Sequence, residues 1–332
     1  MLDSILDRYR NLPLQVRASL WYLFCSFMQK GVNVLSTPVF TRLLSTTEYG
    51  EYEIFNSWYG IISIIVTLNL FYGVFTQGLI KYSSVKKEFS GSFNGLVTVL
   101  VFFWLLVYLL FSSTFNNLFT LDTFQVLCMF TMIWSTAIFS LWAAEKRVGY
   151  EYKNLVVLTI LASILKPTMG IAFIIISEDK VSARILGITI AEFVCYSWIF
   201  IENMKTNRVF FSHKFWKYAL MLNIPLLPHY LSQIVLNTSD RIMINKMVGS
   251  SSAGIYALAY SLSSVMLLFN SALSQTISPW IYQKLHDQRV QDISLVSYWC
   301  IIFIGFVNIV LMAFAPELVT LLHLLRTMKQ FM

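Results

Sequence analysis

Residues 91–112, GSFNGLVTVLVFFWLLVYLLFS, run without a single Asp, Glu, Lys or Arg. A hydrocarbon layer roughly 30 Å thick is crossed by about 20 apolar residues in a helix, so this stretch has the length and polarity of a transmembrane span. Similar stretches cover 18–40, 54–80, 123–144, 154–176, 185–201, 218–239, 253–281 and 293–316. The 332-residue chain is 57% hydrophobic and only 12% charged, against about 25% charged in soluble domains. Its mean hydropathy is +0.66. One or two such runs fit a soluble core, but nine do not. The runs are continuous rather than alternating, which excludes ten-residue barrel strands. We therefore expect an all-α polytopic membrane protein of about nine transmembrane helices.

The first span is too long for the apolar part of a cleavable signal, and no small-residue cleavage site follows it. Cys25, Cys128, Cys195 and Cys300 each sit in a different span and read as small packing residues, not as a disulfide or metal set. The net charge of +7 is distributed by loop. With the N-terminus placed in the cytoplasm, the inner connections carry Arg8, Arg10, Arg17, Lys81, Lys86, Lys87, Lys146, Arg147, Lys153, Lys205, Arg208, Lys214, Lys217, Lys284 and Arg289. The outer ones carry Arg42, Lys180, Arg184, Arg241 and Lys246. This bias follows the positive-inside rule and fits contact with anionic membrane lipids, not with nucleic acid.

Residues 1–15 read as a short amphipathic lead-in, with Leu2, Ile5, Leu6 and Tyr9 on one face. The longest basic segment, ENMKTNRVFFSHKFWK at 202–217, follows six spans and precedes three. The expected organisation is a six-helix lobe over 1–203, a basic cytoplasmic loop over 204–217 and an incomplete three-helix lobe over 218–322. The halves resemble each other at a displacement of 204: Gly50 and Tyr52 fall on Gly254 and Tyr256, Asn33 on Asn237, Arg42 on Lys246. A parallel repeat of this kind is a transporter architecture.

The polar residues left inside the spans are the functional candidates. Ser19, Ser26, Lys30, Asn33, Thr37 and Thr41 share one face of the first span. His229, Gln233, Asn237, Asp240 and Arg241 form a second stripe, and Tyr256, Tyr260, Ser263, Asn270 and Ser274 a third. The simplest arrangement turns these faces toward a shared aqueous cavity. Lys30 sits near mid-span, where a cation costs about 2.5–3.5 kcal/mol on insertion scales. We read it as a cavity cation for an anionic substrate. Asp240 and Arg241 read as a mutually neutralising pair. Glu192 has no cation within a turn of its own helix, so it needs a partner elsewhere or a proton, and is the coupling-ion candidate. Pro167 marks a mid-span hinge.

No phosphate-binding Gly-rich loop, H-E-x-x-H, G-x-S-x-G or Cys/His metal spacing occurs. The connections, such as STFNNLFTLD at 113–122, are too short for a catalytic domain. We expect no enzyme activity, no catalytic residue, no metal and no cofactor. Two other readings of such a chain are a cation-coupled small-molecule antiporter and a membrane-bound polymerase or acyltransferase.

LWYLFCSFMQKG at 20–31, PVFTRLLSTTEYGEY at 38–52, NTSDRIMINKMVG at 237–249 and GIYALAY at 254–260 resemble the Wzx-type oligosaccharide flippases of the multidrug/oligosaccharidyl-lipid/polysaccharide exporter superfamily. The resemblance covers roughly residues 16 to 322. It implies a multi-pass protein of the bacterial inner membrane that moves undecaprenyl-diphosphate-linked oligosaccharide repeat units for cell-surface polysaccharide such as lipopolysaccharide or capsule. It also implies coupling to H+ or Na+, a cationic cavity between two six-helix lobes, and a polysaccharide polymerase and chain-length regulator as partners. Carried over by position, Lys30 and Arg241 would face the diphosphate. The family usually has twelve or more spans. The tail 323–332, HLLRTMKQFM, departs from its continuation and reads as an out-of-frame end after a one-nucleotide deletion, leaving a truncated second lobe.

Overall fold

The computed structural model describes residues 14–207, 209–263 and 290–327. Every regular element among them is helical: α1 (Leu14–Leu43), α2 (Thr46–Thr67), α3 (Val74–Lys81), α4 (Lys86–Leu110), α5 (Ser112–Phe119), α6 (Thr123–Val148), α7 (Tyr152–Ile176), α8 (Lys180–Asn207), α9 (His213–Met247), α10 (Ser250–Ser263) and α11 (Val290–Thr327). Six described helical segments have the length and apolarity to cross a membrane: Ser83–Leu110, Thr123–Val148, Tyr152–Ile176, Lys180–Thr206, His213–Met247 and Val296–Phe314. The chain is a polytopic all-α membrane protein. Residues 1–13 of the lead-in, most of the eighth expected span and residues 328–332 of the tail lie outside the described residues.

The second expected span, 54–80, is not one helix. It breaks after Thr67, where Leu68 and Asn69 take left-handed dihedrals (φ 51° each) and Gly73 follows at φ 64°. The sequence there, LNLFYG, is as apolar as the helix before it, so hydropathy does not reveal the interruption. The basic segment at 204–217 is mostly helix ends, because α8 runs to Asn207 and α9 resumes at His213. The helices outrun the apolar stretches because backbone groups keep hydrogen-bonding after the side chains turn polar.

The first turn of α2 is fixed by a capping box. Ser45 Oγ accepts from the Glu48 N–H at 3.2 Å, and Glu48 Oε2 accepts from the Ser45 N–H at 2.6 Å. The pair satisfies two of the N–H groups that every helix start leaves unpaired. Ser45→Ala is expected to cost about 1 kcal/mol, read as a lower unfolding midpoint in detergent, with Ser45→Asp close to the parent.

The main core is aromatic. Phe75, Phe89 and Phe93 are fully buried, with ring centroids 4.5–5.6 Å apart, and Phe215 of α9 meets Phe89 edge-on at 5.2 Å. A second cluster seats α8 on α6 and α7 through Ile138, Trp142, Leu155, Tyr196 and Ile199. A third joins the two halves, with Phe40, Leu44 and Tyr49 against Ala257 of α10. Leu106, Leu110, Val157, Ile175 and Ile176 remain exposed, as expected of side chains facing acyl tails.

Helices α2 and α10 cross at Gly50 and Gly254. A Cβ on Gly50 would collide with the Ser250 carbonyl, and one on Gly254 with the Thr46 carbonyl. The two collisions are related by the 204-position displacement, so the crossing is reciprocal. Helices approach this closely only where a side chain is missing.

Candidate functional site

One turn beyond the crossing, α2, α8, α9 and α10 bring a cluster of charges together at the Lys180 end of the bundle. Glu53 lies seven residues into α2, Arg184 four into α8, and Arg241 six from the end of α9. At 1.5 Å per residue all three stand roughly 6–10 Å inside that end. Arg241 Nη1 is 3.6 Å from Glu53 Oε2, with side chains only 13% and 15% exposed. The Tyr260 ring lies 4.8 Å from the Arg241 guanidinium. The Arg184 and Arg241 charges both act on the Glu53 carboxylate, which Asn56 also reaches.

Arg184 corrects the reading of it as a charge in an outer connection. It is 7% exposed, and its guanidinium is sandwiched between the rings of Phe40 (3.7 Å) and Tyr52 (3.4 Å). Its Nε and Nη1, and Nε of Arg241, are buried without a hydrogen-bond partner among the described residues. Both guanidinium faces of Arg184 are covered, so it can address a ligand only by its edge.

Asp240 and Arg241 do not neutralise each other. Neighbours on a helix point about 100° apart. Arg241 turns to Glu53, whereas exposed Asp240 accepts a hydrogen bond from Tyr256 Oη at 2.7 Å. Lys30 and Asn33 are exposed on α1, and Asn237 is exposed on α9, where its Nδ2 donates to Gln233 O at 2.8 Å. Asn33 and Asn237, equivalent under the displacement, lie at equal depth, roughly 15 Å from the Leu43 and Met247 ends of their helices. Lys30 lies about 20 Å from that end, deeper than the arginines. The hydroxyls of the first stripe largely serve their own helix: Ser26 donates to Tyr22 O, Thr37 to Asn33 O and Thr41 to Pro38 O. They present less free polarity than their spacing suggested.

Glu192 has a partner on the neighbouring helix. It is 3% exposed, and its Oε1 is 2.7 Å from Lys166 Nζ. Its Oε2 accepts from Thr136 Oγ1 at 3.0 Å, and Thr136 Oγ1 in turn accepts from Tyr59 Oη at 3.2 Å. Pro167 lies inside α7, where Thr168 Oγ1 donates to Ile164 O and Leu165 O in the turn before it.

The fold and the cationic cluster define an integral membrane protein with a charged seam where its halves meet. The chain belongs to a family described as polysaccharide biosynthesis proteins, which matches residues 16–285. It is similar to the Lsg locus putative protein 1 of Haemophilus influenzae, with 27% identity over 118 residues. That alignment spans 34% of this chain and 29% of the relative, so the chain matches less than a third of the relative's length. No solved structure matches the chain.

Proposed function

We propose that this chain carries undecaprenyl-diphosphate-linked oligosaccharide across the bacterial inner membrane, from the cytoplasmic to the outer leaflet. The observation that supports this reading is that Arg184, 7% exposed, and Arg241, with a side chain 13% exposed, both act on Glu53 at the junction of the halves, in a family of polysaccharide biosynthesis proteins. Fixed cations in a low-dielectric seam attract a diphosphate strongly. On this reading the N-terminus is cytoplasmic and the Lys180 end faces outward. Lys30, Asn33, Asn237, Asp240 and Arg241 face the headgroup as the halves rock, Pro167 lets α7 bend, and the buried Glu192 carboxylate exchanges the coupling ion, H+ or Na+.

Expressed in a strain lacking its own oligosaccharide flippase, the chain is expected to restore surface polymer. Lys30→Ala and Arg241→Ala are each expected to cut that output by about tenfold or more, the scale of one lost charge-assisted hydrogen bond. Full polymer from both variants removes these residues from the site. No polymer from the parent chain removes the flipping reading.

A further inference from the structure

The cluster at Glu53 contains more cation than one carboxylate can satisfy. Two arginines act on one acidic side chain that is largely shielded from water. An arginine–carboxylate pair at its best forms two parallel bonds of about 2.7–2.9 Å. Among the described residues a single approach of 3.6 Å is made, and three guanidinium nitrogens (Nε and Nη1 of Arg184, Nε of Arg241) stay buried without partners. Buried donors left unpaired are costly, about 1–3 kcal/mol each and more when charged. The aromatic rings of Phe40, Tyr52 and Tyr260 hold the two guanidinium groups in place without using their donors. Asp240 supplies no relief, since it turns to Tyr256.

We infer that Glu53 is a resident anion that competes with a phosphate group for the Arg184–Arg241 pair. A phosphate carries up to two charges and three strong acceptor oxygens, and so answers donors that one carboxylate leaves idle. Its arrival displaces Glu53 from Arg241. Glu53 is on α2 and Arg241 on α9, so the exchange unfastens the two halves at the Lys180 end. Ligand capture and opening are then one event: the diphosphate supplies the anion that the closed seam otherwise takes from its own chain. This step rests on the proposed diphosphate substrate. It adds Glu53 and Arg184 to the site and gives the ligand a way to trigger movement.

The test uses the whole chain in detergent, with Cys25, Cys128, Cys195 and Cys300 changed to Ala and a reporter pair Thr46→Cys/Ser251→Cys. The Oγ atoms of those two residues lie 3.2 Å apart across the crossing. Undecaprenyl diphosphate is titrated, with inorganic pyrophosphate and undecaprenol as separate arms for headgroup and tail. In the parent, the diphosphate lipid is expected to reduce oxidative cross-linking of the reporter. Glu53→Gln is expected to cross-link less without ligand and to bind the diphosphate lipid about tenfold more tightly, within the range common for coupled sites. Arg184→Gln is expected to weaken binding by a similar factor. A merely structural salt bridge predicts the reverse for Glu53→Gln, namely weaker binding. If that variant is not recovered folded, Glu53→Asp, which withdraws the carboxylate by one methylene, gives the same direction with a smaller gain.

Parent binding with no gain in either Glu53 variant overturns the inference and leaves the substrate reading standing. Binding of pyrophosphate and lipid alike assigns the seat to the headgroup. Binding of undecaprenol as tight as the diphosphate lipid overturns the role of the arginines. No binding of the diphosphate lipid by the parent overturns the substrate reading itself.

Discussion

Gly50→Leu is expected to abolish docking of the second half of the chain on the first, and Gly254→Leu to do the same. Both positions face a carbonyl of the opposite helix, and a Cβ on Gly50 would also stand 2.9 Å from the Gly254 nitrogen. Backbone cannot rotate away as a flexible side chain can. The helices must separate, and with them go the Phe40–Leu44–Tyr49 contacts to Ala257 and the Ser251–Thr46 hydrogen bond. Overpacking a tight contact costs about 1–3 kcal/mol, occasionally more, and the lost neighbours add to it. The measurement is the yield of the Thr46→Cys/Ser251→Cys cross-link together with accumulation in membranes. Gly31→Ala is the control, because none of the described residues stands within 4 Å of a Cβ there. Parent-like cross-linking in both leucine variants would show that the halves are held together elsewhere.

Lys166→Met is expected to destabilise the first half by roughly 3 kcal/mol. Removing one partner of a buried ion pair strands the other charge, at a cost of about 3–5 kcal/mol. The lower figure applies because the Lys166 side chain keeps 34% of its exposure, whereas Glu192 keeps 4%. The double variant Lys166→Met/Glu192→Gln is expected to recover most of the loss, because no charge is then left unpaired. Denaturant unfolding in detergent, followed by the fluorescence of Trp134 and Trp142, reads the difference. A single variant within 0.5 kcal/mol of the parent would mean that water already compensates the carboxylate.

The class of fold was legible in the sequence, and the seam was not. Nine apolar runs settle a helical membrane protein because lipid leaves the backbone few alternatives. The break at Leu68–Gly73 was hidden, because dihedral strain leaves no mark on hydropathy. Glu53 and Arg184 were overlooked for a related reason: each lies near a helix end, where a charge is ordinarily spent on water, and only tertiary packing covers it. The Lys166–Glu192 contact could have been found. Helices α7 and α8 are antiparallel and joined by a turn at 177–179, so residues about equally far from that turn face each other. Arg241 and Glu53 offered no such symmetry. The displacement of 204 aligned Gly50 with Gly254 as equivalent positions, but equivalence carries no information about contact, and their collision course came only with the structure.

The reciprocal crossing has a mechanical consequence. Backbones in direct contact have no slack to give: dispersion attraction falls steeply within the first ångström of separation, so the hold is lost early in any parting of α2 from α10. The Phe40, Leu44 and Tyr49 contacts to Ala257 beside the glycines go with it. Such a joint behaves as a latch, firm when shut and weak once ajar.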